Sequence, residues 1–130
     1  MQTHLKALYL ENIDYLENTE AFNEGLISVQ DLSSMLVAVI AAPKSGDLCM
    51  DLCAAPGGKA LHLWEMMKGE GKVIARDISD YKVGLIEENI DRTQSMGVEA
   101  QVYDATELDE EYIGKADVVV ADLPCSGLGV

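Results

Sequence analysis

"DLCAAPGGKA", residues 51–60, packs an acid, a pair of alanines, a proline, two glycines and a lysine into one short stretch. On its N-terminal side, "DLCMDLC" (47–53) is apolar enough to be a buried strand. On its C-terminal side, "GGKALHLWEMMKGEG" (57–71) carries Leu61, Trp64 and Met67 near helical spacing and ends at glycine. Strand, glycine-rich turn and helix in that order open an α/β unit. Gly57 and Gly58 lack a Cβ, so the backbone can turn sharply and approach a ligand closely. Pro56 stiffens the turn. The free amides of the following helix favour a carboxylate or another anion at the loop.

The same alternation continues downstream. "KVIARDIS" (72–79) reads as a strand and "DYKVGLIEENIDRTQSMG" (80–97) as a helix with Val83, Ile86 and Ile90 on one face. "VEAQVYD" (98–104) reads as a strand, "ATELDEEYIG" (105–114) as a short helical or loop crossover, and "ADVVVADLP" (116–124) as a strand. Apolar β-branched strands separated by amphipathic helices predict a Rossmann-like α/β sheet of about four parallel strands, covered on both faces and wound with right-handed crossovers. Upstream, "GLISVQ" (25–30) has strand composition. "DLSSMLVAVIAAP" (31–43) reads as a helix that Asp31 or Ser33 caps and Pro43 stops. Residues 1–24 are polar and mixed, with "LKALYLE" as a short strand candidate. They are expected to be the tail of a preceding subdomain, with 25–130 the N-terminal part of one α/β domain.

Composition narrows the function. The chain has 130 residues, 48% of them hydrophobic but only one Trp and one Phe, so its core is aliphatic. It shows no signal-peptide pattern and no apolar run long enough to cross a membrane, so a cytoplasmic protein is expected. Cys49, Cys53 and Cys125 do not form a disulfide framework, and reduced thiols are expected. Cys49 and Cys53 lack C-x-x-C spacing and the histidines are only His4 and His62, which argues against zinc. A net charge of −14 argues against a grip on a phosphate backbone by this chain alone. His62 reads as a packed or surface residue, and "ELDEEY" as a solvated crossover.

In an open α/β sheet, ligands bind outside the carboxyl ends of the strands. Here the first strand runs into Cys53, Ala54, Ala55, Pro56, Gly57, Gly58 and Lys59. The next three end at Asp77, Asp104 and Asp122, the last followed by Pro124 and Cys125. Acids on a buried rim are costly unless something hydrogen-bonds to them. Asp77 suits a ribose diol and Asp104 an exocyclic amine of adenine, so a ligand with a carboxylate, a ribose and an adenine fits this order. A P-loop is excluded, because its first glycine falls on Cys53 and its Ser/Thr on Ala60; the G-x-G-x-x-G fingerprint is absent.

"DLCAAPGGKA", "ARDIS" (75–79) and "ADLPCSGLGV" (121–130), preceded by "FNEGLISVQDLSSMLV" (22–37), closely resemble the RNA cytosine-5 methyltransferases, in particular the bacterial Sun/Fmu (RsmB-like) branch that acts on small-subunit ribosomal RNA. The resemblance covers roughly residues 20–130. It implies S-adenosylmethionine as cofactor. Cys53 to Lys59 would surround its methionine portion, Asp77 would bind the ribose and Asp104 the adenine, and Asp122 would sit between the methyl group and the target base. It implies ribosomal RNA as the partner of the parent protein. C5 of cytosine is a poor nucleophile, and a thiolate adding to C6 activates it. In the family two cysteines share this work. Cys125, in D-x-P-C-S-G, resembles the one that assists product release, while the attacking cysteine lies in a T-C-[ST] motif that these 130 residues do not contain. Ala60 stands where the family often has threonine.

Two expectations follow from the missing motif. The chain is read as the cofactor-binding part of a methyltransferase, inactive alone. The rival reading is a stand-alone, non-catalytic nucleotide- or protein-binding module with a Rossmann-like fold. The strand at about Asp117–Ala121, interior in the family's sheet, is expected to be an unpaired edge here. That edge would lead to self-association or to a disordered chain from about Asp122 onward.

Overall fold

The computed structural model describes residues 7–125. Expectations that fall on residues 1–6 or 126–130, including His4, the start of "LKALYLE" and the last half of "ADLPCSGLGV", lie outside the described residues. Four parallel strands, β1 (Leu48–Asp51), β2 (Lys72–Asp77), β3 (Val98–Val102) and β4 (Val118–Val120), form one sheet in the order β3-β2-β1-β4. The order reverses between β1 and β4, which puts the β1 loop at the topological switch point.

Four α-helices accompany the strands: α1 (Glu20–Asn23), α2 (Leu32–Ala41), α3 (Gly58–Met66) and α4 (Asp80–Thr93). Their limits follow from local chemistry. Asp31 caps α2 by accepting from the Ser34 amide at 3.0 Å, and the helix ends where Ala42 turns left-handed. Ser79 caps α4, and Gln94 in the left-handed region ends it one turn before the reach expected from sequence. α3 begins at Gly57, whose φ of +112° a residue with a Cβ rarely adopts.

Register fixes the two faces of the sheet. Cys49 pairs with Val73 and Val118, and Val73 with Val98; two residues on, Ala75, Ala100 and Val120 align with Asp51. These side chains join Ala38, Leu61, Leu63, Met67 and Ile86 from α2, α3 and α4 in one core. Truncating the fully buried Leu63 to alanine would cost about 2–5 kcal/mol by comparison with similar core sites. Gly97 admits the indole of Trp64 so closely that a Cβ there would lie 2.0 Å from the ring.

All three long helices therefore cover the same face, not both faces as the alternation suggests. The opposite face carries Met50, Leu52, Arg76 and Val119, and among the described residues no helix of more than one turn covers it; the chain between β3 and β4 overlies it. That crossover has acids where a helix would need an apolar stripe, and forms only a 3-10 turn at Glu110–Tyr112.

Two strand expectations upstream do not hold. Residues 25–30 are not a strand, nor are 7–11. Gly25 is left-handed, and a Cβ on it would meet the Arg92 carbonyl at 2.1 Å. The segment crosses α4 instead of pairing with a strand. Arg92 donates to the Phe22 and Ile27 carbonyls at 2.9 and 3.0 Å and lies over the Phe22 ring. A guanidinium thus satisfies the carbonyls that a sheet would otherwise engage.

Candidate functional site

A cleft of about 380 Å³ opens at the carboxyl end of β1. Its walls are the loop 53–59, the Asp77 carboxylate, the segment Val29–Asp31, and Asp122 with Pro124 beyond β4. Of the residues expected to form the site, Cys53, Ala54, Ala55, Pro56, Gly58, Lys59, Asp77 and Asp122 line this cleft. Gly57 sits behind them against Ile86. Asp104 does not line the cleft, and Cys125 is exposed just outside its lining.

The loop is held from β2. The Ala54 amide donates to the Arg76 carbonyl at 2.8 Å, and the Ala55 amide to Asp77 Oδ2 at 3.1 Å. The two glycines do different things. Gly57 is needed for its backbone angle. A Cβ on Gly58 would meet nothing nearer than Gln30 at 3.8 Å, so its bareness leaves cleft space open.

Asp77 is buried, with 4% of its surface exposed. Burial pushes its carboxyl up, but the Ile78 and Ala55 amides and Lys82 more than offset this and hold it below the usual carboxylate range. The Ile78 amide reaches Oδ1 at 2.8 Å, and Lys82 Nζ lies 3.3 Å from the same oxygen. Across the cleft, Lys59 Nζ pairs with Asp122 Oδ2 at 2.8 Å. Burial, with Asp77 and Asp51 nearby, raises the Cys53 thiol. Asp104 lies two residues past the end of β3. Its Oδ1 accepts from the Thr106 amide at 2.9 Å and hydroxyl at 2.7 Å, which lowers its carboxyl.

Two cleft-lining residues, Lys82 and Gln30, and the buried Asp51 escape the sequence reading. Asp51, the last residue of β1, is completely buried, and neither carboxylate oxygen finds a hydrogen-bond partner of good geometry among the described residues. Burial pushes it up to about 6, with the Cys53 amide and Lys59 offsetting part of the effect. Its signal was available: strand alternation puts it on the same core-facing side as Cys49. Lys82 sits in the first turn of α4, where the helix dipole disfavours a cation, and that misplacement points to a nearby carboxylate. Gln30, whose Nε2 is buried without a partner beside the loop, is visible only once the segment folds back on the cleft.

Comparison with known proteins agrees with this geometry. The family model described as 16S rRNA methyltransferase RsmB/F matches residues 38–130. A probable ribosomal RNA small subunit methyltransferase B of Bacillus subtilis is 42% identical over 116 residues, covering 88% of this chain and 26% of that protein. A tRNA (cytosine(72)-C(5))-methyltransferase of Pyrococcus horikoshii is 38% identical over 115 residues, covering 88% of this chain and 29% of that protein. Among solved structures, NSun6 from Pyrococcus horikoshii with SFG superposes with a TM-score of 0.82 at 36% identity, over 91% of this chain and 30% of that one. A SAM-dependent O-methyltransferase from Thermotoga maritima, 24% identical with a TM-score of 0.65 over 75% of this chain and 36% of that one, shares the fold. The chain thus spans between a quarter and a third of the length of the curated relatives it matches.

Proposed function

Because the chain belongs to the 16S rRNA methyltransferase RsmB/F family, we propose that residues 25–130 form the cofactor-binding part of an S-adenosylmethionine-dependent RNA cytosine-5 methyltransferase that acts on ribosomal RNA. The observation that carries this reading is the Asp77 carboxylate, buried in the cleft wall and locked to the glycine loop through the Ala55 amide. A carboxylate so held is a preorganised acceptor for a vicinal diol. The negative potential of Asp51, Asp77 and Asp122, which sense one another electrostatically, suits a ligand bearing a sulfonium and an ammonium. The open space beside Gly58 admits that ligand.

When bound, the cofactor supplies an electrophilic methyl group. The chain's residues bind and orient. Lys59 and the first amides of α3 favour the cofactor carboxylate. Asp77 accepts from the ribose hydroxyls once Lys82, its half-exposed partner, swings aside. Asp104, outside the cleft lining, would accept from the adenine amine, and Asp122 would lie by the amino-acid and methyl end, beside the target base. Cys125 stands on the base side and assists product release. The attacking thiol of the T-C-[ST] motif is not among these 130 residues, so the chain by itself is proposed to bind cofactor without transferring methyl groups. With a net charge of −14, these residues are proposed to supply few of the RNA contacts themselves.

Calorimetry with S-adenosylhomocysteine tests this reading. The chain should bind it, and Asp77→Ala should weaken binding about tenfold or more, the cost of losing a charged acceptor. Unchanged affinity in the variant removes Asp77 from the ribose role, and no binding by the parent chain removes the cofactor reading itself.

A further inference from the structure

Arg76 is the only cation buried in the sheet among the described residues, with 4% of its surface exposed, and the mechanism above makes no use of its side chain. It lies on the face of the sheet that no helix covers. Its Nε donates to Gln101 Oε1 at 3.0 Å, and Nη2 pairs with Asp109 Oδ2 at 2.5 Å. Its guanidinium carbon lies 4.2 Å from the centre of the Tyr103 ring and 4.9 Å from that of Tyr112. One side chain therefore grips the crossover at its start, middle and end. Five of the eight residues from 104 to 111 are acidic, so this segment repels itself and has no helix to hold it in place.

Asp104 sits between the first two grips. The Tyr103 amide donates to the Asp77 carbonyl at 2.9 Å, which ties the start of the segment to the end of β2. Thr106 turns the Asp104 carboxylate locally, but that contact moves with the segment and cannot set its distance from Asp77. Beyond Asp104, Arg76 supplies the polar side-chain contacts that tie the acidic stretch back to the sheet, where Leu108, Tyr112 and Ile113 also line a pocket with Met50, Leu52 and Val119. The main chain of Arg76 also accepts from Ala54 in the glycine loop, so the residue joins both halves of the cleft rim.

We infer that Arg76, clasped by Tyr103, Asp109 and Tyr112, is a positioning residue that holds Asp104, which lies outside the cleft lining, in reach of a bound nucleobase and thereby sets discrimination for an exocyclic amine on the purine. The inference rests on the cofactor reading given above. Lysine cannot replace Arg76 in this role, because an ammonium has neither the fork that serves Gln101 and Asp109 together nor a planar face for the rings.

The test compares two ligands by calorimetry: S-adenosylhomocysteine, and S-inosylhomocysteine, whose purine carries a carbonyl in place of the amine. The parent chain should prefer the adenosyl ligand on the order of tenfold, the value of a hydrogen bond to a charged acceptor. Arg76→Lys, and Tyr112→Leu as a milder break from the outer side, should bring that ratio close to one while affinity for the inosyl ligand changes little. Should Arg76→Lys fail to unfold cooperatively, Tyr112→Leu alone decides the matter. A ratio that stays at its parent value, with both ligands weakened equally, would reduce the clasp to a structural role and overturn the inference. Equal affinity of the parent chain for the two ligands would overturn it as well. If the parent chain binds neither ligand, the cofactor reading falls, and this inference with it.

Discussion

Lys59, on the first turn of α3, and Asp122, beyond the end of β4, meet at 2.8 Å across the mouth of the cleft. The pair joins the loop after β1 to the chain after its neighbouring strand, so it spans the switch point where the strand order reverses. Asp122 is largely exposed and Lys59 only one-fifth so. Exposed pairs of this kind contribute little to folding, about 0.2–1 kcal/mol. Both partners line the cleft, so the pair sets a cation and an acid side by side in its wall.

Lys59→Met should therefore separate folding from binding. Unfolding in urea should shift by less than about 1 kcal/mol, while affinity for S-adenosylhomocysteine should fall about fivefold or more through loss of the cation facing its carboxylate. A stability loss that matches the binding loss would show that the lysine serves the fold and not the ligand.

Asp51 makes stability depend on pH in the direction opposite to most carboxylates. Its folded-state value is about 6 against an ordinary value of 3.8. Between those two the folded chain holds a proton that the unfolded chain releases. Stability from this group therefore falls as pH rises from about 4 to about 6, and stays low above that. At about 1.4 kcal/mol for each pH unit, the interval amounts to roughly 3 kcal/mol. Asp51→Asn should gain on the parent chain by up to that amount between pH 4 and pH 7 in denaturant unfolding. A difference between the two that stays flat across this range would mean that the carboxylate has a partner that stabilises its charge.

Much of this was legible in the sequence because it rests on local patterns. The loop 53–59 was bounded by a strand and a helix of opposite periodicity, and the acids near the strand ends marked the rim. What was not legible depends on contacts distant in the chain. "GLISVQ" has strand composition, yet Arg92, 65 residues beyond Ile27, takes its carbonyl and keeps it out of the sheet. Coverage of both faces follows from the alternation of apolar strands and amphipathic helices, but the crossover from β3 to β4 spends its residues on acids and forms only a 3-10 turn. Asp104 stands two residues past the end of β3 at Val102, where the sequence pattern ends the strand on the acid itself.

β4 is the last strand of the sheet on its side, and it is short, β-branched and apolar. Its inner edge pairs with β1, and no strand pairs with its outer edge among the described residues. Val119 points to the face without helices and is 55% exposed, with Ile113 and Leu108 exposed on the crossover that overlies that face. An unpaired edge beside an apolar patch favours pairing with another chain. The strong negative charge opposes general clumping, but it cannot satisfy backbone amides and carbonyls. The purified chain should therefore self-associate reversibly, with a mass in light scattering that rises with concentration and rises further in high salt as charge repulsion is screened. Val119→Lys, which puts a cation on the edge strand without touching the core face, should return it to a monomer. A parent chain that stays monomeric at every concentration and salt level would show that the β4 edge is protected without a partner.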